Sequence, residues 1–198
     1  IHHRVKNNLA VISGLLQMQM WESENDNAKS ALQQSHLRVQ SIALVHEKLY
    51  QSESLSYIQF DRYLLDLLQT IADIYIGSET DIDINSNLNE LTLNVNQAIP
   101  CALLINELVI NAFKYAFENI DGGTINIEVR KDEQQVLVKV SDNGHGFANG
   151  DELNNGQSLG LELVDTLVAQ LNGELKLYNR EGAHIEFRFT PEGVSNTT

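Results

Sequence analysis

The chain has 198 residues, a hydrophobic fraction of 42% and a formal net charge of −14. It can therefore bury a real core, and its charge argues against nucleic acid or an anionic membrane as a main partner. The one cysteine, Cys101, has no disulfide partner, and no apolar run reads as long enough to span a bilayer or as a signal peptide. A start at Ile1 rather than methionine reads as a fragment, with any sensor or membrane part preceding it; a cytoplasmic location is expected.

Residues 1–23 are predicted as a helix, because Val5, Leu9, Ile12 and Leu16 step by four, three and four. After a polar turn at 23–27, a second helix is expected over 28–52, with Leu32, Ser35, Val39, Ile42, His46 and Leu49 on one stripe. Two helices with so short a connection form an antiparallel hairpin. Such a hairpin either completes a four-helix bundle with a second copy or packs on the rest of the chain. His46 lies on the stripe and reads as a core residue. His46-Glu47 is not a zinc motif, since Tyr50 stands where a second histidine is needed.

Residues 53–60 read as a connector, which divides the chain into 1–55 and 56–198. Asp61 is expected to cap a helix running to about Tyr75. Short strands follow at 81–85 and 91–95, and Asn96 is expected to cap a long apolar helix that tolerates Pro100 near its start. Asp121-Gly122-Gly123 is turn chemistry leading into a hairpin of 124–130 and 135–141. A helix over 159–171, ended by Asn172-Gly173, precedes two last strands, 174–178 and 184–190. The fold class is α+β: a helical hairpin, then a two-layer α/β sandwich with helices on one face of a mostly antiparallel sheet.

Three stretches carry polar groups where a core is expected. In the apolar helix over 103–117, Glu107, Asn111 and Lys114 fall within roughly 60° on a helical wheel. An internally bonded core network accounts for them, and so does a helix lining a polar ligand site. Asp142-Asn143-Gly144-His145-Gly146 follows an alternating strand and reads either as a plain turn or as a carboxylate at the bottom of a pocket. Ser158-Leu159-Gly160-Leu161 opens a helix after a run rich in Gly and Asn. At the other end of the chain stands His2-His3-Arg4-Val5-Lys6-Asn7-Asn8-Leu9. Two adjacent histidines at a chain end can be tag residue, yet the apolar seam begins at once, without a linker.

In order and spacing, the three internal stretches resemble the N, G1 and G2 boxes of the Bergerat-type (GHKL) ATP-binding domain of histidine kinases, type II topoisomerases, the heat-shock protein of ninety kilodaltons and MutL. The N-terminal stretch resembles the H box of the HisKA_2 class of sensor histidine kinases, in which the histidine directly before Arg accepts the phosphoryl group; here that is His3. Wheel geometry gives a separate reason, since His3 lies about 150° from the Val5–Leu16 seam and His2 only about 50°.

The resemblance implies that Asp142 accepts from the adenine amino group, with Gly144 and Gly146 letting the backbone approach and hinge. It implies Mg²⁺ coordination by Asn111, water or proton handling by Glu107, and a phosphate contact at Lys114. Ser158, Leu159, Gly160 and Leu161 would set helix-terminal amides against the phosphates. It further implies a two-component phosphorelay, with ATP as donor, a response-regulator receiver domain as partner and a homodimer through the hairpin. The segment 143–160 departs from the pattern, with no Lys or Arg and with Ser158 at a frequent glycine position. A conformational ATPase of the same superfamily and a non-kinase phosphotransfer or scaffold protein are the competing readings. The first lacks an H box and needs a following domain; the second requires loss of pocket residues that are present here.

Overall fold

The computed structural model describes residues 2–51, 57–75, 81–132, 134–147 and 159–193. It divides into two compact units, 1–56 and 57–198.

The first unit is a helical hairpin of α1 (His2–Glu22) and α2 (Asp26–Gln51). Asn25 terminates the turn between them, its Oδ1 accepting from the amides of Asn27 (2.9 Å) and Ala28 (3.2 Å), so α2 begins two residues earlier than its apolar stripe predicts. Among the described residues of α1, the half-buried side chains are Val5, Leu9, Ser13, Leu16 and Met20. Ser13 replaces the expected Ile12, which is 44% exposed. The reason is polar: Ser13 Oγ lies 3.1 Å from His36 Nδ1 on α2. The opposite face of α1 carries Val11, Leu15, Met18 and Trp21, all exposed. This helix is thus apolar on two faces, which a short periodicity template does not separate. His46 lies on α2, but its side chain is outside the described residues.

The second unit carries a five-stranded sheet in the order β2-β4-β5-β7-β6, with strands β2 (Ile82–Leu88), β4 (Gly123–Asp132), β5 (Gln135–Asp142), β6 (Glu174–Asn179) and β7 (Ala183–Phe189). The β2–β4 pair is parallel and the other pairs are antiparallel. Strand alternation puts Ile127, Val140, Ile185 and Leu177 in one cross-sheet row, and Val129, Val138, Phe187 and Leu175 in the next. Helices α3 (Phe60–Tyr75), α4 (Val95–Asn111) and α5 (Leu159–Gln170) cover this apolar face. The other face is polar, with Lys139 Nζ 3.2 Å from Glu186 Oε1 and the Tyr178 hydroxyl donating to the same oxygen at 2.6 Å. The expected two-layer α+β architecture is the one observed.

Several boundaries differ from expectation. The connector contains β1 (Tyr57–Gln59), which pairs antiparallel with β3 (Thr92–Asn94). Asp61 does not cap α3: it lies inside the first turn and accepts from the Leu91 amide at 3.2 Å, a tertiary bond that sequence pattern cannot foresee. Asn94, not Asn96, caps α4, its Oδ1 accepting from Gln97 N at 2.9 Å. The buried Gln97 then ties the helix start to the end of β7, donating to Thr190 O and accepting from Glu192 N, both at 2.8 Å. Asn172, with φ 50°, takes the left-handed position after α5, and Gly173 N closes the turn on Val168 O at 3.0 Å. By length and composition, Val95–Ala116 does meet the requirement for a membrane span, contrary to the sequence reading; 67% of that window is buried inside the unit, as in a core helix.

Tyr63 on α3 is 3% exposed, and among the described residues its hydroxyl has no hydrogen-bond partner. Burial, with the Cys101 thiol adding to it, pushes the phenol well above its ordinary range. Tyr63→Phe is expected to stabilise the second unit by about 1 kcal/mol, because an unsatisfied buried hydroxyl is removed with the ring retained. A urea melt in which this variant is less stable than the parent would mean that the hydroxyl is paired.

Candidate functional site

The site is built around the C-terminal end of α4. The helix is α-helical to Asn111 and continues as a π-turn over Ala112–Ala116. Glu107 is buried, at 2% exposure, while Asn111 and Lys114 are half-buried. The 100° step that aligned the three holds between Glu107 and Asn111. It does not hold for Lys114, because a π-turn advances by a smaller angle per residue. Tyr75, the last residue of α3, stacks on Phe113 with ring centroids 5.2 Å apart. Its buried hydroxyl has no hydrogen-bond partner among the described residues. Burial, and secondarily the Glu107 carboxylate, push the Tyr75 phenol up to about 12. Tyr75 was not singled out from the sequence; as the end of an apolar stripe it carried no separate signal.

Asp142 owes its place to strand alternation. Val136, Val138 and Val140 point into the core from β5, and period two puts Asp142 in the same row, opposite Ile125. A carboxylate therefore ends a line of valines, 6% exposed. Its Oδ1 accepts from Gly144 N at 3.0 Å and from Ala183 N at 3.2 Å. Among the described residues nothing hydrogen-bonds Oδ2. A buried carboxylate with one oxygen held by backbone amides and the other open to a donor fits an exocyclic amino group. The half-buried Asn111 and Lys114 supply a neutral oxygen and a cation, which fit a hard metal ion and phosphate.

The loop after Asp142 is held on three sides. Asn143 Oδ1 accepts from Thr124 N at 2.7 Å. His145 N donates to Ala116 O at 2.9 Å, and His145 Nε2 lies 2.6 Å from Glu118 O. Asn179, at the end of β6, accepts from Phe147 N and donates to Phe147 O, each at 2.9 Å. The glycines permit these approaches. A Cβ on Gly144 would stand 2.0 Å from Ala116 O, and Gly146, at φ 72°, lies against Asn179 Oδ1. Gly144 thus serves contact with the α4 end, a use the sequence reading did not assign. Asn179 and Ala183 were missed as well. Arg180-Glu181-Gly182 is turn chemistry, but nothing in the chain says that this turn abuts Asp142.

The structure brings the loop that follows Asp142 against the turn that carries Lys114, through Gly144 and His145 at Ala116, while Gly146 lies against Asn179. Helix α5 packs on α4, and Leu159, Gly160 and Leu161 form its first turn, where backbone amides lack intrahelical acceptors. Their side chains, and Ser158 with the whole segment 148–158, lie outside the described residues. His3 is in the first turn of α1, with its side chain likewise outside the description. Among the described residues there is no group of three or more His, Cys, Asp or Glu that could hold a metal ion.

Comparison with known proteins agrees with this anatomy. The family HisKA_2, described as histidine kinase, matches residues 1–75, and the family described as histidine kinase-, DNA gyrase B- and HSP90-like ATPase matches residues 96–193. Sensor histidine kinase PdtaS of Mycolicibacterium smegmatis is 36% identical over 183 residues, covering 90% of this chain. Blue-light-activated histidine kinase 2 of Erythrobacter litoralis is 25% identical over 182 residues, covering 89%. The chain spans 36% of the length of the first and 51% of the second. The histidine kinase domain of the blue-light-activated kinase EL346 from Erythrobacter litoralis superposes with a TM-score of 0.75 at 20% identity, over 94% of this chain and 95% of that one, and so shares the fold. The chain belongs to the histidine kinase family, with helices of the HisKA_2 class in its first part and a GHKL-type ATP-binding domain in its second.

Proposed function

We propose that the chain is the catalytic core of a sensor kinase that transfers the γ-phosphoryl group of ATP to His3 and then to an aspartate of a response-regulator receiver domain. The observation that carries this reading is Asp142, a buried carboxylate with an open acceptor oxygen whose following loop abuts the end of the helix bearing Glu107, Asn111 and Lys114, on a chain that also bears an H-box helix. Asp142 binds the adenine amino group. Asn111 supplies one oxygen to Mg²⁺, Lys114 meets phosphate, and the first-turn amides of α5 at Gly160 and Leu161 face the anion. In the transfer, an imidazole nitrogen of His3 bonds to the γ-phosphorus as the bond to the bridging oxygen breaks and ADP leaves. The protein's share is positioning and charge neutralisation, with Glu107 acting as base or orienting a water.

The exposed stripe Val11, Leu15, Met18 and Trp21 supports a homodimer through the hairpin, since an apolar face of that length is ordinarily covered in a four-helix bundle. Sedimentation as a monomer at tens of micromolar would remove that part of the reading. A cytoplasmic setting follows from the use of ATP and a receiver domain.

The deciding experiment is incubation with γ-labelled ATP and Mg²⁺, followed by acid and base treatment of the labelled protein. Phosphohistidine is lost in acid and survives base. Label that survives acid, or none at all, would overturn the reading. Asn111→Ala is expected to bring Mg²⁺-dependent labelling to background with the fold retained, because hard cations need oxygen ligands. Normal labelling of this variant would place the metal elsewhere.

A further inference from the structure

We propose that His145 is a positioning residue that locks the adenine loop to the helix end bearing Lys114, so that base and phosphate are read by one rigid element. The inference rests on the reading of the pocket as an ATP site. It starts from an accounting of backbone carbonyls. A helix leaves its last carbonyls without intrahelical donors. Here the end is less regular still: the π-turn closes at Ala116, and Phe117 takes φ −116° and ψ 20°, outside helical values. The three carbonyls in question are those of Ala116, Phe117 and Glu118. Ile120 N donates to Phe117 O at 3.1 Å. His145 supplies the other two donors, its backbone amide to Ala116 O at 2.9 Å and its ring Nε2–H to Glu118 O at 2.6 Å. A carbonyl only accepts, so the ring nitrogen must carry the proton.

One residue of the loop thereby acts as a C-terminal cap for a helix that is not its own, and it does so two residues after Gly144, whose missing side chain allows the close approach. Lys114 sits within the capped π-turn, and Asp142 starts the loop that provides the cap. Loosening Glu118 from the ring leaves Asp142 in place, because its Oδ1 is held independently by Gly144 N and Ala183 N. The effect should therefore fall on phosphate recognition rather than on the base.

The test uses the full chain and two variants. His145→Phe keeps a ring and the backbone amide and deletes only the side-chain donor; His145→Gln restores a side-chain N–H. Binding of adenosine and of ATP with Mg²⁺ is followed by NMR titration, with thermal melts run alongside. His145→Phe is expected to weaken ATP about three- to tenfold, the worth of one hydrogen bond, and to leave adenosine affinity unchanged. His145→Gln is expected to bind both like the parent. Equal weakening of adenosine and ATP in the Phe variant, unchanged binding of both, or failure of the Gln variant to recover ATP affinity would each overturn the proposal. A parent protein that binds neither ligand would instead overturn the ATP-site reading beneath it.

Discussion

His3→Gln is expected to take up no phosphate from ATP while folding and binding nucleotide like the parent. The glutamine side chain has no nucleophilic nitrogen, so no residual chemistry remains at that position. The substitution should also leave the packing of α1 on α2 unchanged, because His3 lies about 150° from the Val5–Leu16 seam on the helical wheel. His2→Gln, on the flank of the seam, should keep a substantial share of labelling. His46→Gln should act through hairpin stability, since it alters a stripe position. Mass spectrometry of the base-stable phosphopeptide decides among them. Phosphate on His2, His36 or His46 of the unaltered chain, with His3 unmodified, would defeat the assignment.

A second large effect is expected at Gly144. In Gly144→Ala the added methyl would stand 2.0 Å from Ala116 O and 2.6 Å from its carbonyl carbon. Both are backbone atoms of the π-turn and cannot swing aside as the end of a flexible side chain can. The loop must lift, which breaks the His145–Ala116 bond and pulls the Gly144 amide away from Asp142 Oδ1. Overpacking of this kind costs roughly 1–3 kcal/mol, and two lost hydrogen bonds add to it. ATP affinity is expected to fall more than tenfold, with the second unit measurably less stable. Calorimetry giving parental affinity would mean that the loop tolerates displacement and that its contact with α4 is incidental to the pocket.

The fold was legible in the chain wherever burial follows a period. Strands β4 and β7 alternate cleanly, and in β5 Val136, Val138 and Val140 keep a period of two that carries Asp142 onto the core face, although Leu137 and Ser141 are buried as well. The length of α4 and the polar line of Glu107 and Asn111 were legible for the same reason. What escaped was tertiary in origin. Asp61 and Asn96 both have the chemistry of a cap, but Asp61 is drawn to the Leu91 amide and Asn94 reaches Gln97 first. Three residues of β1 are too few to show a period, and they exist as a strand because Thr92–Asn94 pairs with them. In the hairpin, Ile12 matched the spacing better than Ser13, yet Ser13 meets His36. Around the pocket, Asn179, Ala183 and Gly182 come from a turn about forty residues after Asp142, and no local pattern ties such a turn to a particular carboxylate.

The parallel pairing of β2 with β4 bears on the order in which this unit can assemble. Strands β4 and β5 pair from Asp132 and Gln135 onward and need close only a short loop, and β6 and β7 are similarly local. By contrast, Ile82 meets Gly123 across about forty residues that include the whole of α4. The loop-closure entropy of that contact must be met before its hydrogen bonds form, so local hairpins should precede it on the folding pathway. Gly123 N also donates to Asp81 O at 2.9 Å, and Gly122, at φ 83°, is pressed against the same carbonyl. Closure of the edge strand and the entry into β4 are thus one event. The amides of β2 should accordingly exchange with solvent hydrogen faster than those of the central strand β5, through partial opening of an edge that forms late and leaves early.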